Sequence, residues 1–475
     1  MTIDESLTSA FGAHVYSVGG SVRDSLLQQM RSAASTVPPK DHDYVIVGLP
    51  ARLVRERLQR IGTRVDAVGA SFAVLKVVIG GETIDVAIAR REFSTGAGHR
   101  DFEMSFGEDV SLDEDLARRD LTINAVARRL IDGAIFSVPG AMDDLRNGVL
   151  RAISPAAFRE DPLRILRLVQ LASRFEMRPD HQTRSMIDSQ RSLISTISPE
   201  RISEEMAKLL LKSPHPSEGM RLLADYGLLD YTIPELRESI GVQQNKYHRY
   251  DVWEHLLHAL DHASSDHGDI IDLYAALLHD VGKPRTAQSK SLEYGNTFYN
   301  HEVVGADMVG PILSRLRMPR DIIATVQSLV RHHMYAIEDS AHCPLPDRSL
   351  RRFIARVGPE NIGRQLALRQ ADVMGNGIEK PNTRNIEFGK RIHAILAARP
   401  PLSVTDLPIS GHAVIALLID RGLAAPGFRG DARVGKILHA VLQRALDDPQ
   451  IDAEQVMRDL VDEQYACQLE MKGTL

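Results

Sequence analysis

The chain has 475 residues, 43% hydrophobic and 25% charged, an ordinary globular composition and enough for about two to four domains. Its formal net charge of −6 gives no global basic signature, so a nucleic-acid partner would need a local basic face. The two cysteines, Cys343 and Cys467, lie far apart and form no Cys-x-x-Cys pair, which argues against a disulfide framework or a cysteine-rich zinc site. The acidic start, Asp4-Glu5, lacks a signal-peptide core, and no apolar run reaches the roughly 18 residues of a membrane span, so a cytoplasmic protein without a membrane partner is expected.

In chain order, β-rich runs are expected at 15–18, 44–47, 72–79 and 83–86, with a helix over 51–61 and a loop over 31–39 that ends in Pro38-Pro39. After about residue 150 the strand signal nearly vanishes. Leu163, Ile165, Leu166, Leu168, Val169 and Leu171 then recur at helical spacing, and similar patterns run to the C-terminus. Breaks fall at Ser198-Pro199, 212–216, the polar stretch 241–249 and Pro400-Pro401. The fold class is therefore α+β: a mixed-sheet head on a long, mostly helical body.

Four clusters in the first third carry chemistry. Gly19-Gly20-Ser21-Val22-Arg23-Asp24 follows a β-run and opens a helix, so backbone amides, a hydroxyl and a cationic fork face one place. Asp41 and Asp43 are two apart at the start of a strand and project to one face, where two carboxylates suit Mg2+. Asp85, on a later strand, is a third acid. Arg118-Arg119-Asp120-Leu121-Thr122-Ile123-Asn124 supplies donors and acceptors suited to ribose and phosphate. Asp161, Arg164 and Arg167 are spaced three apart and share a helical face. Each has an ordinary reading as well: a Gly-Gly turn, a solvated strand cap, an intrahelical ion pair.

Taken in order, Gly19-Gly20-x-x-Arg23-Asp24, Asp41-x-Asp43, Arg118-Arg119-Asp120-x-Thr122-x-Asn124-Ala125 and Glu160-Asp161-x-x-Arg164-x-x-Arg167 resemble the class II tRNA nucleotidyltransferase and bacterial poly(A) polymerase family. The resemblance implies a polymerase-β-like head that extends an RNA 3′ end by two-metal phosphoryl transfer. It implies that Asp41 and Asp43 bind Mg2+, with Asp85 near the family's third acid. Gly19, Gly20, Ser21 and Arg23 would hold the triphosphate, Asp120 and Asn124 the ribose, and Arg119 would lie near the nucleotide. Asp161 and Arg164 would read the edge of C or A in place of a template, with Arg167 supporting them or reaching phosphate. Gln170 stands where near relatives often carry arginine, and the stretch between Asp24 and Asp41 is longer than in many of them. The segment 90–109 looks full length, which favours complete CCA addition to tRNA from CTP and ATP.

The body holds His255, the doublet His279-Asp280, His301, His332-His333 and Asp372. A lone helical histidine is usually structural, but this series resembles the HD phosphohydrolase superfamily. That implies a metal site of His255, His279, Asp280 and Asp372, with His301 and His332 as additional ligands in two-metal members. A divalent transition metal or Mg2+ would suit the donors. The expected segments are a nucleotidyltransferase head over 1–150, a helical neck over 151–240, an HD-type domain over 241–375 and a tRNA-binding tail over 376–475, where Arg433 and Lys436 would face phosphate. The rival expectations are a poly(A) polymerase, a partial CC- or A-adding enzyme, and an HD hydrolase with a regulatory nucleotide-binding head. Alarmone synthetase/hydrolases pair the same two domain types with the HD part first, so the order found here argues against them.

Overall fold

The computed structural model describes residues 1–31, 43–68, 74–94, 102–245, 248–291, 295–335, 345–377 and 383–473. The chain divides into two compact units, 1–237 and 238–475.

The first unit is built on a seven-stranded sheet. Its strands are β1 (Val15–Val18), β2 (Asp43–Ile46), β3 (Arg64–Val68), β4 (Val74–Ile79), β5 (Glu82–Ile88), and, after the separate hairpin β6 (Arg90–Ser94) and β7 (Phe102–Phe106), β8 (Val126–Arg129) and β9 (Ile135–Ser137). The order is β3-β4-β5-β2-β1-β8-β9, with β2 parallel to β5 and the other pairs antiparallel. The alternation of side chains decides what each face carries. Tyr44, Ile46, Leu75, Val77, Ile84, Val86 and Ile88 form one core with Leu7 and Phe11 of helix α1 (Ile3–Phe11). Val54 and Leu58 of helix α3 (Ala51–Ile61), one turn apart, complete it, while α2 (Gly20–Met30) follows β1. Because these residues take one face, Asp43 and Asp85 fall on the other, alongside Val45 and Ala87.

Beyond the head, helix α4 (Leu163–Phe175) buries Ile165, Leu166, Leu168, Val169 and Leu171, the expected stripe. It packs against α5 (Pro199–Lys212), which begins with proline at its first turn, a position where the missing N–H costs nothing.

Among its described residues, the second unit is helical apart from a short ladder at Gln288–Ser291 and Gly295–Thr297. Helices α6 (Val252–Ser265), α7 (Ile270–Leu278), α8 (His301–Arg315), α9 (Arg320–His332) and α11 (Ile362–Gly375) pack on one another, with α6 against both α7 and α11 and α9 against α8 and α7. A second core joins α10 (Asp347–Val357), α12 (Thr383–Ala397), α13 (Gly411–Asp420), α14 (Ala432–Asp447) and α15 (Ala453–Gly473) through Leu350, Phe353, Phe388, Ile392, Val414, Val441 and Val461. Among the described residues, no helix is long and apolar enough to cross a membrane.

Candidate functional site

In the head, β1 delivers the chain to Gly19, whose φ of +72° is one that side-chain-bearing residues rarely adopt. A Cβ there would also meet the Arg119 guanidinium at 3.1 Å. Helix α2 then starts at Gly20, so the Gly20, Ser21 and Val22 amides belong to its first turn and lack intrahelical acceptors. The Ser21 hydroxyl donates to the Val18 carbonyl at 3.4 Å. Asp43 and Asp85 are direct partners across the parallel β2–β5 pair and so lie side by side on one face. Asp85 also meets the Lys76 ammonium at 3.2 Å. Asp41 lies outside the described residues.

Beside Asp43, and partly lining the same cavity as it, runs a chain of polar contacts. Arg174 Nη2 donates to Asp24 Oδ2 at 2.8 Å, and Arg23 Nε donates to Asp24 Oδ1 at 2.8 Å. Arg23 Nη1 donates to Asn124, and Asn124 Nδ2 donates to Asp120 Oδ1 at 2.9 Å. Asp120 Oδ2 then faces Arg167 Nε at 2.9 Å. Burial opposes ionisation of Asp120, but Arg167 and the Asn124 bond outweigh it and hold the carboxyl below its usual range. Arg23 is only 3% exposed, and burial lowers its pKa. Arg23, expected at the triphosphate, lines the same cavity as Asp43 and is braced there by Asp24 and Asn124, with its guanidinium over Phe175 at 4.5 Å.

Asp161 and Arg164 form no ion pair with each other. Asp161 accepts from the Leu163 amide at 3.2 Å and from Arg201 Nη2 at 2.7 Å. Arg164 donates to Glu160 at 3.1 Å and to the Arg118 carbonyl at 3.0 Å. Arg119 is held by Asp115, fully buried, at 3.2 Å. A cavity of about 520 Å3 brings together Gly20, Ser21, Asp43, Arg167, Glu205 and Lys208. Sequence reasoning missed Arg201, Glu205, Lys208 and Lys212. Their 4-3-4 spacing along α5 puts them on one helical face, and that charged stripe was the signal that could have found them.

In the second unit, one carboxylate organises the histidines. Asp280 Oδ2 lies 3.2 Å from both His255 Nε2 and His279 Nε2, and its Oδ1 lies 3.2 Å from His301 Nε2 and 3.4 Å from His333 Nε2. Asp372 Oδ1 joins at 3.4 Å from His255. The Nδ1 groups of His279, His301 and His333 donate to the carbonyls of Ala276, Phe298 and Val330. That fixes the tautomer and turns each Nε2 lone pair inward. Two groups with metal-ligand spacing result, His255-His279-Asp280 and Asp280-His301-His333, both buried and sharing Asp280. The inward lone pairs of His301 and His333, 3.3 Å apart, repel unless a cation stands between them, and His255 Nε2 lies 3.0 Å from His279 Nε2, so the donors fit one or two divalent ions.

His332 is corrected to His333. Successive helical residues point about 100° apart, so only one of the doublet can face Asp280. His332 instead donates Nδ1 to the Ser328 carbonyl on its own helix at 2.8 Å. Burial alone would lower His255, but Asp280 and Asp372 lift it to about 9. Burial opposes the Asp280 charge too, yet Lys283 and His279 hold its carboxyl well below the ordinary range.

Residues 15–151 match the poly A polymerase head domain, 176–240 the probable RNA and SrmB-binding site of polymerase A, and 247–374 the HD domain. The multifunctional CCA protein of Azoarcus sp. (strain BH72) is 35% identical over 374 residues, covering 77% of this chain and 85% of that protein. Its counterpart in Nitrosococcus oceani is 34% identical over 396 residues, 81% of this chain and 92% of that one. This chain belongs to the multifunctional CCA protein family. The crystal structure of the Bacillus stearothermophilus CCA-adding enzyme in complex with CTP shares its fold, with a TM-score of 0.66 at 22% identity over 99% of this chain and 100% of that one. The nucleotidyltransferase and HD families generally use divalent metals, which agrees with both donor sets.

Within this CCA-family chain, the HD centre depends on a close backbone approach. A Cβ on Gly282 would fall 2.3 Å from the His301 carbonyl and 2.6 Å from the Gly305 amide. Gly282→Ala must therefore push His301 away from Asp280. Metal retained after dialysis should drop, with affinity weaker by roughly 10–100-fold, while nucleotide transfer by the head persists; unchanged metal content would contradict the packing argument. The His255 value sets a pH dependence. Metal must displace the proton held below about 9, so affinity should rise with pH and level off near that value. Titrating Mn2+ into the apoprotein from pH 6 upward measures the slope, and a flat profile would refute it.

Proposed function

We infer that this chain completes the CCA end of tRNA from CTP and ATP, and that its HD centre removes phosphate from RNA ends or nucleotides. The observation that carries the first part is the in-register pair Asp43–Asp85 on the face opposite the head's apolar core, with Asp43 and the first turn of α2 lining one cavity. The relatives carry the CCA name, and Thermotoga maritima CCA-adding enzyme is known in complex with tRNA_CCA. The poly(A), partial-addition and regulatory-head alternatives have no comparable support.

Asp41 and Asp43 would hold Mg2+, since an all-oxygen donor set suits a hard cation. When bound, divalent ions lower the pKa of the attacking 3′ hydroxyl and neutralise the triphosphate. The chain's own groups do the rest. The Gly20 and Ser21 amides at the start of α2 cradle phosphate oxygens. The Asp120–Asn124 pair presents a fixed edge to the ribose, braced from behind by Arg23. Asp161 and Arg164, each pinned by other partners, present an acceptor and donors to the incoming base. Arg201 is a positioning residue for Asp161.

The HD donors mix imidazole nitrogen and carboxylate oxygen, which favours a transition metal such as Mn or Ni over Mg2+. Lys283, 2.5 Å from Asp280, and Arg369, 2.6 Å from Asp372, place positive charge beside the ligands, suited to a phosphoryl substrate. The division into head, neck, HD domain and tail at about 150, 240 and 375 belongs to this reading, as does a cytoplasmic site of action.

The test is incubation with Mg2+, CTP, ATP and a tRNA transcript lacking its CCA end, followed by 3′-end sequencing. CCA ends support the reading, and long A tails or unchanged ends overturn it. Asp43→Asn should lower incorporation by about a thousandfold. Arg201→Met should blur the choice between C and A by roughly tenfold in kcat/KM while leaving overall turnover closer to normal. His279→Ala should abolish metal-dependent phosphatase activity and leave CCA addition intact.

A further inference from the structure

A cavity of about 340 Å3 lies behind the HD centre, between Tyr335, which follows α9, and helices α11 and α12. Its volume falls at the small end of the range for ligand pockets, roughly 300–1,000 Å3. Three of its lining residues carry buried polar atoms without a hydrogen-bond partner: the Tyr335 hydroxyl, Arg369 Nε and Asn385 Nδ2. Buried polar groups are nearly always bonded, so three such atoms around one cavity form a cluster that calls for an occupant.

All three are donors. The charged groups that line the cavity are cations, Arg369 and Lys390, and no carboxylate is among its described lining residues. Lys390 leans on Glu387 at 3.6 Å and is otherwise exposed. A water molecule accepts only about two hydrogen bonds and would have protons of its own to place. An anion with several oxygens accepts from every donor at once, and bonds to charged groups are the stronger ones. The remaining lining mixes polar Gln370 and His393 with apolar Leu366, Ile386 and Phe388, the Phe388 and Tyr335 rings lying 4.9 Å apart.

We propose that this cavity binds a phosphate monoester. Its oxygens accept from the Tyr335 hydroxyl, Arg369 Nε and the Asn385 amide, Lys390 stands at the edge, and the body of the ester lies against Phe388. Arg369 also holds Asp372 Oδ2 through Nη1, so one guanidinium borders both the cavity and the metal ligands. The site is distinct from the cluster around Asp280 and does not depend on phosphatase activity there.

Calorimetric titration of the full chain with AMP tests it, in EDTA so that metal-dependent nucleotide sites are silent. Wild-type protein should show saturable binding that Asn385→Leu and Lys390→Glu each weaken by about tenfold. Lys390 is a surface side chain, so its variant reports on binding even if Asn385→Leu lowers the Tm. Inorganic phosphate should displace AMP, because the phosphate group is the recognised part. Equal AMP binding by wild type and both variants, no binding up to about 10 mM, or failure of phosphate to compete would each overturn the proposal.

Discussion

A carboxylate taken out of water must be met by cations or donors, and each compact unit is arranged around one that is. In the first, Asp120 is 6% exposed and is met by Arg167, Asn124 and the Leu121 amide. In the second, Asp280 is 1% exposed and is met by four imidazoles and Lys283. Leaving such a charge buried and unpaired costs far more than any one hydrogen bond returns, so the surrounding side chains are not free to choose rotamers. That constraint converts loosely spaced motifs into fixed geometry. It also explains why Arg23 and Arg164 point where they do: each satisfies a buried acceptor before it can address a ligand.

The same constraint separates stability from specificity. Replacing a buried ion pair wholesale with apolar groups is often neutral, whereas removing one partner typically costs about 3–5 kcal/mol. The Arg174–Asp24–Arg23–Asn124–Asp120–Arg167 series therefore matters less as a source of net stability than as a rule about register. It ties the start of α2 and the 120–124 turn to α4. A change at one end is felt at the other because every member has its donors already assigned.

How much of this was legible follows from distance along the chain. The Gly-Gly turn, the helix over 163–175 and the mixed-sheet head were readable because each rests on local spacing, and the structure places them as expected. Asp85 could be named but not positioned, since its adjacency to Asp43 is set by a parallel pairing between strands some forty residues apart. The choice of His333 over His332 turns on the phase at which α9 ends, and no spacing rule fixes a helix terminus to one residue. For Arg23, a sequence shows a guanidinium near a phosphate turn, but not the buried Asn124 that also engages it. The stripe Arg201, Glu205, Lys208, Lys212 is legible by helical spacing, yet it is easily passed over because a charged face is usually only a solvated one.

The net charge of −6 was the weakest guide to substrate, and the structure shows why. Screening limits each exposed charge to a reach of about 8–10 Å in physiological salt, so a polyanion responds to what lies around the site rather than to the total. Around the head cavity, Arg23 comes from α2, Arg167 and Arg174 from α4, and Lys208 and Lys212 from α5, all helices of one unit. Four of the five have carboxylate partners: Arg23 and Arg174 on Asp24, Arg167 on Asp120 and Lys208 on Glu205. Pairing reduces their long-range field but fixes their direction, which favours close recognition of a docked phosphate over steering from a distance. An acidic chain can therefore hold a polyanionic end without a basic surface, provided its cations are held in place where the phosphates arrive.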